Sequence, residues 1–166
     1  MLVSKPKAKL WLDSLLQATS QLASSMLGWN EAVVDLKPSG AETAVQSTLT
    51  MSTDETRNEI GMSTNWQDCE ELARAFLNIP EGESISEEEV EDAFGEVINI
   101  VGGMVKKCLT DKHENIKLGL PLVRRGADCQ SANAVLAEAT CHVGDAQVNL
   151  FVQHNAFERE GSHGSF

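Results

Sequence analysis

Leu12, Leu15, Thr19, Leu22 and Met26 follow a three-and-four spacing that puts one stripe on a helix ending near Gly28. After Pro38, Ser39 and Gly40 the period drops to two. Val45, Ser47, Leu49 and Met51 then share one face and Gln46, Thr48 and Thr50 the other, the pattern of a half-buried strand. Val33, Val34 and Leu36, just before the Pro-Ser-Gly turn, predict a partner strand for it. A third strand is expected over 57–63, across the polar turn at Thr53, Asp54 and Glu55, which makes a three-stranded meander.

Residues 68–79 predict a short helix with Leu72, Ala73, Phe76 and Leu77 turned inward, stopped by Pro80 and Gly82. A longer helix follows. Ser86 and Glu89 have capping-box spacing, and Val90, Phe94, Val97, Val101, Met104 and Cys108 continue an inward stripe. Alternation returns at Ile116, Leu118 and Leu120, and again at Val135, Ala137, Ala139, Cys141 and Val143. The pair Gly144-Asp145 then predicts a tight hairpin into Ala146, Val148, Leu150 and Val152. The order of elements implies an α+β domain, with long helices packed on a largely antiparallel sheet. It spans residues 1–157 without a linker and leaves 158–166, polar and rich in Gly and Ser, as a flexible tail.

Composition narrows the functional classes. A chain of 166 residues with a net charge of -12 gains nothing from nucleic acid or an anionic membrane surface, so neither is an expected partner. Cys69, Cys108, Cys129 and Cys141 form no C-x-x-C pair and are expected to be reduced thiols. His113, His142, His154 and His163 show no ligand spacing, so no metal site is expected. No apolar run approaches the roughly 18 residues of a membrane span, which points to a cytoplasmic protein.

The long helix carries a second stripe. Asp92, Glu96, Asn99 and Gly103 are spaced by four, three and four and share a face that should meet solvent. Gly95, Gly102 and Gly103 flank Asn99, although each glycine inside a helix costs roughly 0.8–1 kcal/mol relative to Ala. The missing side chains predict close approach of another backbone, from a neighbouring element of the domain or from a separate protein laid on the helix.

The run Asp92-Ala93-Phe94-Gly95-Glu96-Val97-Ile98-Asn99 resembles the D-x-x-x-E-x-x-N signature of the CheC/CheX chemotaxis phosphatases, with Pro121 about two dozen residues downstream and Gly103 and Lys106 in keeping with CheX-type members. The family's fold has two pseudo-equivalent long helices. In the first, Asp13 fits the opening position, but Gln17 and Ser20 replace the acid and the amide, and one intact copy resembles CheX rather than CheC. The resemblance implies a phosphatase that hydrolyses the aspartyl phosphate of a CheY-like response-regulator receiver. Asn99 would orient the attacking water, and Glu96 would pair with the receiver's lysine. Asp92, Gly95, Gly102 and Gly103 would contact the partner. No cofactor of its own is implied, because the phosphorylated receiver brings Mg²⁺, and a homodimer formed through sheet edges is expected of CheX-type members.

A second reading keeps the same fold as a non-catalytic receiver-binding or flagellar-switch-like module, in which the stripe only docks. A paired-carboxylate hydrolase using Asp92 and Glu96 lacks a nucleophile-base pair. The plain alternative for Glu96 and Asn99 is a solvated helix face, and for the glycines it is tight packing within the domain.

Overall fold

The computed structural model describes residues 5–25, 28, 33–35, 43–54, 56–110, 115–129 and 133–154. The elements are α1 (Lys5–Ser25), β1 (Val33–Asp35), β2 (Val45–Ser52), β3 (Arg57–Thr64), α2 (Trp66–Leu77), α3 (Glu87–Thr110), β4 (Lys117–Leu118), β5 (Leu122–Arg125), β6 (Val135–Val143) and β7 (Ala146–His154), with a 3-10 turn at Gly126–Cys129. The strands form one sheet in the order β1-β6-β7-β3-β2-β4, with β5 also on β2, and each pairing is antiparallel. This is the α+β architecture that the periodicity predicts. The tail at 158–166, Met26 and Leu36 lie outside the described residues.

The alternation in β2 sets the layers. Ser47 donates a hydrogen bond from its hydroxyl to the Phe94 carbonyl of α3 at 3.2 Å, so Val45, Ser47, Leu49 and Met51 face the helices. On that side Trp11, Leu15 and Leu22 of α1, Phe94 and Ile98 of α3, and Leu49, Ile60 and Leu150 of the sheet make one continuous core. Full burial of each large apolar side chain is worth about 1.5–3 kcal/mol, and this shared core holds the two long helices to the strands. The helices meet where Ser14 Oγ lies 3.6 Å from Cys108 Sγ.

Several ends are fixed by single residues. Asn65 caps α2, its side chain accepting from the Asp68 N–H at 2.8 Å, and Asp68 in turn accepts from the Gln147 N–H of β7 at 3.1 Å. Asn78 closes α2 in the left-handed conformation at φ 58°. Ser86 accepts from the Glu89 N–H at 3.1 Å, as the capping-box spacing predicts. Val143 pairs with Ala146 across Gly144-Asp145, and Gly144 sits at φ 63°, which accounts for the hairpin signal.

Six expectations need correction. β2 is not half-buried, since Gln46 and Thr48 on its other face are buried as well, and Val135 is 51% exposed ahead of a register shift before Ala137 that breaks the alternation of β6. The strand at Val33–Asp35 pairs with β6, Val34 opposite Cys141, and does not join β2 in a meander, because the free edge of β2 is taken by β4 and β5. Leu77 is not inward; it is 42% exposed on the last turn of α2, where Asn78 turns the chain away. In α3 the buried stripe moves to Val105 and Leu109, leaving Met104 and Cys108 half-buried, as a 3.6-residue period drifts against a strict three-four count. The alternation at Ile116 and Leu118 stops short of Leu120, which is 88% exposed between β4 and β5.

All four cysteines are free thiols. Burial is the main cause that pushes the Cys69 and Cys141 thiols up to about 12. Brief alkylation of the native protein at pH 8 should therefore spare Cys69 and Cys141, and peptide mass mapping should find them modified only after unfolding.

Candidate functional site

The candidate site is built on the face of α3 turned away from the sheet. Its setting follows from the opposite face. Val90, Phe94, Val97, Ile98 and Val101 are buried, and the Ser47 bond to the Phe94 carbonyl fixes the helix's rotation about its axis. Asp92, Glu96 and Gly103 are consequently exposed and Asn99 is half-buried. Between Asp92 and Gly103 this stripe rises about 16 Å, at ~1.5 Å per residue. The first turn, Glu87 to Glu89, places carboxylates at the positive end of the helix dipole.

The predicted glycines separate into different roles. Gly102 is buried and faces the sheet, where an added Cβ would overlap Leu49 Cδ2 of β2. It lets the helix sit close to the strand and is not available to a partner, which corrects its assignment as a partner-contacting residue. Gly95 is also buried: an added Cβ would stand 3.3 Å from Val123 Cγ2 and 4.0 Å from Pro121 Cβ. Its role in partner contact is corrected in the same way, since the β4–β5 segment already fills the space beside it. Gly103 is exposed with nothing within 4 Å of an added Cβ, so it alone of these glycines opens the surface.

Pro121 immediately precedes β5 and lies against α3 beside Gly95, which gives the downstream proline of the sequence pattern a spatial meaning. The β5 end is tied down by Arg125. Its guanidinium lies 3.9 Å from the Trp66 ring centroid and pairs with Glu87 at 3.1 Å and Glu91 at 3.4 Å. The hydrogen bond with Glu87, followed by the charges of Glu87 and Glu91, pushes the Arg125 pKa up from its ordinary value. Sequence reading missed this clamp because its members come from α2, α3 and β5, with no shared local pattern.

On α1, Asp13 and Gln17 are exposed and Ser20 is half-buried, repeating the exposure of Asp92, Glu96 and Asn99. The frame is repeated, while the acid and amide are not. A cavity of about 880 Å³ opens on the other face of the sheet, lined by Gln46, Ser63, Asn149, Phe151 and Gln153 among others. It does not adjoin the stripe, because Gln46 alternates with the helix-facing Val45 and Ser47. Among the described residues no group of His, Cys, Asp or Glu could hold a metal ion, and no described helix is long and apolar enough to cross a membrane.

A convex helix face presenting an acid and an amide suits recognition of a macromolecule better than enclosure of a small molecule. The sequence profile described as "Chemotaxis phosphatase CheX" matches residues 45–143. The chain belongs to the CheX family. No protein of curated function matches it. Among solved structures, the chemotaxis protein CheX from Vibrio vulnificus is similar at a TM-score of 0.70 and 19% identity, covering 87% of this chain and 96% of that one. A chain of a structure described as a CheX–CheY–BeF3–Mg²⁺ complex from Borrelia burgdorferi is similar at a TM-score of 0.65 and 16% identity, covering 87% of this chain and 96% of that one. A structure described as a FliM–SpeE complex from H. pylori gives 0.60 at 10% identity, covering 92% of this chain and 90% of that one.

The glycine contacts predict opposite effects for adjacent substitutions. Gly102→Ala should lower stability by about 1–3 kcal/mol through overpacking against Leu49. Gly103→Ala should raise it by up to about 1 kcal/mol from helix propensity. Thermal or urea unfolding of the two variants checks both signs.

Proposed function

We propose that this chain is a phosphatase for the aspartyl phosphate of a CheY-like response-regulator receiver, with Asn99 positioning the water and Glu96 anchoring the partner. The observation that carries the reading is the acid–amide pair, an exposed Glu96 and a half-buried Asn99 one turn apart, on a helix whose opposite face is locked into the core. Membership of the CheX family supports it, and the CheX–CheY pairing in the Borrelia burgdorferi complex supports the choice of partner.

The chemistry asks little of the phosphatase. The water oxygen forms a bond to phosphorus as the bond from phosphorus to the aspartyl oxygen breaks, giving inorganic phosphate and a free carboxylate. The proton from water leaves with phosphate or to solvent. Positioning dominates such reactions, and a carboxamide can accept from the water and donate to a phosphoryl oxygen without bringing negative charge to an anion. Glu96 forms a charge-assisted bond with the receiver's lysine and sets the register of α3 on the partner. Asp92 and Gly103 extend this contact along the exposed stripe. Mg²⁺ belongs to the receiver, so the chain uses no cofactor of its own. A cytoplasmic location and a homodimer joined at sheet edges belong to the same reading; the outer edges of the described sheet are β1 and the β4–β5 side.

The similarity to a FliM-containing structure favours one other reading, a docking module that binds a receiver without hydrolysing its phosphate. Decay of a phosphorylated receiver from the same organism, followed with Mg²⁺ present, separates the two. The unaltered chain should accelerate decay, and Asn99→Ala should reduce that acceleration by about 100-fold or more, the scale of a misplaced positioning group. Glu96→Ala should mainly weaken binding, by about 1.5–3 kcal/mol for a hydrogen bond to a charged group. Acceleration undiminished in Asn99→Ala would overturn the assignment, and binding with an unchanged phosphate lifetime would establish the docking module.

A further inference from the structure

Polar side chains are costly to bury without partners, and two of them stand together on the face of the sheet turned away from the helices. Gln46 of β2 and Ser63 of β3 are register partners, 4% and 5% exposed. Among the described residues no hydrogen bond reaches either side chain, and both open onto the cavity of about 880 Å³. Asn149 of β7 follows Ser63 in the register, and Gln153 lies four residues further along the same face. Asn149 Nδ2 donates to Glu138 at 3.5 Å and Gln153 Nε2 to Glu59 at 2.6 Å, which leaves both amide oxygens to accept. With strands about 4.8 Å apart, Gln46, Ser63 and Asn149 make a polar row roughly 10 Å long.

The lining also discriminates by charge and shape. Among the described residues around the cavity there is no Lys, Arg or His, and Glu138 is the one carboxylate. Arg124, opposite Gln46 in the register, donates instead to the Thr48 hydroxyl at 3.3 Å. An anionic ligand therefore finds no counter-charge, in a chain whose net charge is -12. A flat heterocycle would gain by stacking, but Phe151 is 4% exposed, with its ring laid over Gly61 where an added Cβ would overlap it. Hydrogen bonding is what the cavity offers. A carboxamide presents donor and acceptor together, as does each hydroxyl of a ligand, so the two match without any charge. The volume suits a small molecule, for which sites run from about 300 to 1,000 Å³.

We infer that this cavity binds a neutral polyhydroxyl molecule, a sugar or sugar alcohol, whose hydroxyls bond Gln46, Ser63 and Asn149. The site lies on the sheet face opposite α3 and is independent of the receiver-directed reading of the stripe.

The test is a titration of the full chain with glucose, maltose and mannitol, read by the side-chain NH₂ signals of Gln46 and Asn149 in amide NMR spectra. Glucose 6-phosphate and adenine serve as the charged and the flat comparisons. At least one neutral probe should shift these signals saturably, and both comparisons should bind about 10-fold or more weakly than that probe, for want of a counter-charge or a stacking face. Gln46→Ala should raise the Kd of the neutral probe by about 10-fold, the scale of a lost hydrogen bond. Ser63→Ala carries the same expectation, and thermal unfolding establishes that each variant is folded. Signals that none of the neutral probes shifts would leave the cavity to water and overturn the inference. Tighter binding of glucose 6-phosphate or adenine would overturn it in favour of an anion or a base, and a Kd unchanged in both variants would place the sugar elsewhere.

Discussion

The rotational setting of α3 governs most of what this domain can present. Gly102 lets the helix approach β2 until Leu49 fills the space a side chain would take, and the Ser47 hydroxyl bonds the Phe94 carbonyl about two turns earlier. A close approach at one point and a directed bond at the other fix both depth and rotation, which neither could do alone. Turning the helix by one residue, about 100°, would drive Asp92 or Glu96 toward the core, where an unpaired carboxylate is costly. The energy that orients the candidate site is thus packing energy on the far side of the same helix.

The edge of the sheet completes the frame. β4 and β5 pair with β2 in separate short stretches, and Pro121, between them, together with Val123 of β5 lies against α3 at Gly95. Arg125 then joins β5 to the beginning of α3 and to Trp66. Exposed ion pairs are each worth little, but here the pairs and the ring contact act on one guanidinium and restrain a strand that has few backbone bonds of its own.

Legibility in the sequence followed the range of the interactions involved. The alternation that orients β2, the Gly144-Asp145 turn and the Ser86 cap are local, and each has a direct counterpart in the fold, whereas the irregularity between Val135 and Ala137 at the start of β6 has no local signal. The exposure of Asp92, Glu96 and Gly103 was equally readable, because helix geometry alone determines which residues share a face. Partner choice in the sheet was not: β1 skips over β2 to reach β6, a pairing that no spacing along the chain encodes. The glycines show the boundary most clearly. Their clustering signalled close approach, but only the positions of Leu49 and Val123 reveal that Gly95 and Gly102 accommodate the domain's own sheet.

The two long helices separate what belongs to the fold from what belongs to the chemistry. Asp13, Gln17 and Ser20 on α1 have the same exposure as Asp92, Glu96 and Asn99 on α3, and the helices share one core. A fold that exposes both stripes equally gives neither of them a reaction. What distinguishes α3 is the substitution of an amide for a hydroxyl and of a carboxylate for an amide. A hydroxyl is shorter and has a single donor, so it cannot hold a water and a phosphoryl oxygen at once with the reach of Asn99. A neutral Gln17 cannot make the ion pair with a cation that Glu96 can. The difference in chemical capacity therefore lies in two side chains on a frame that the rest of the sequence is used to hold still.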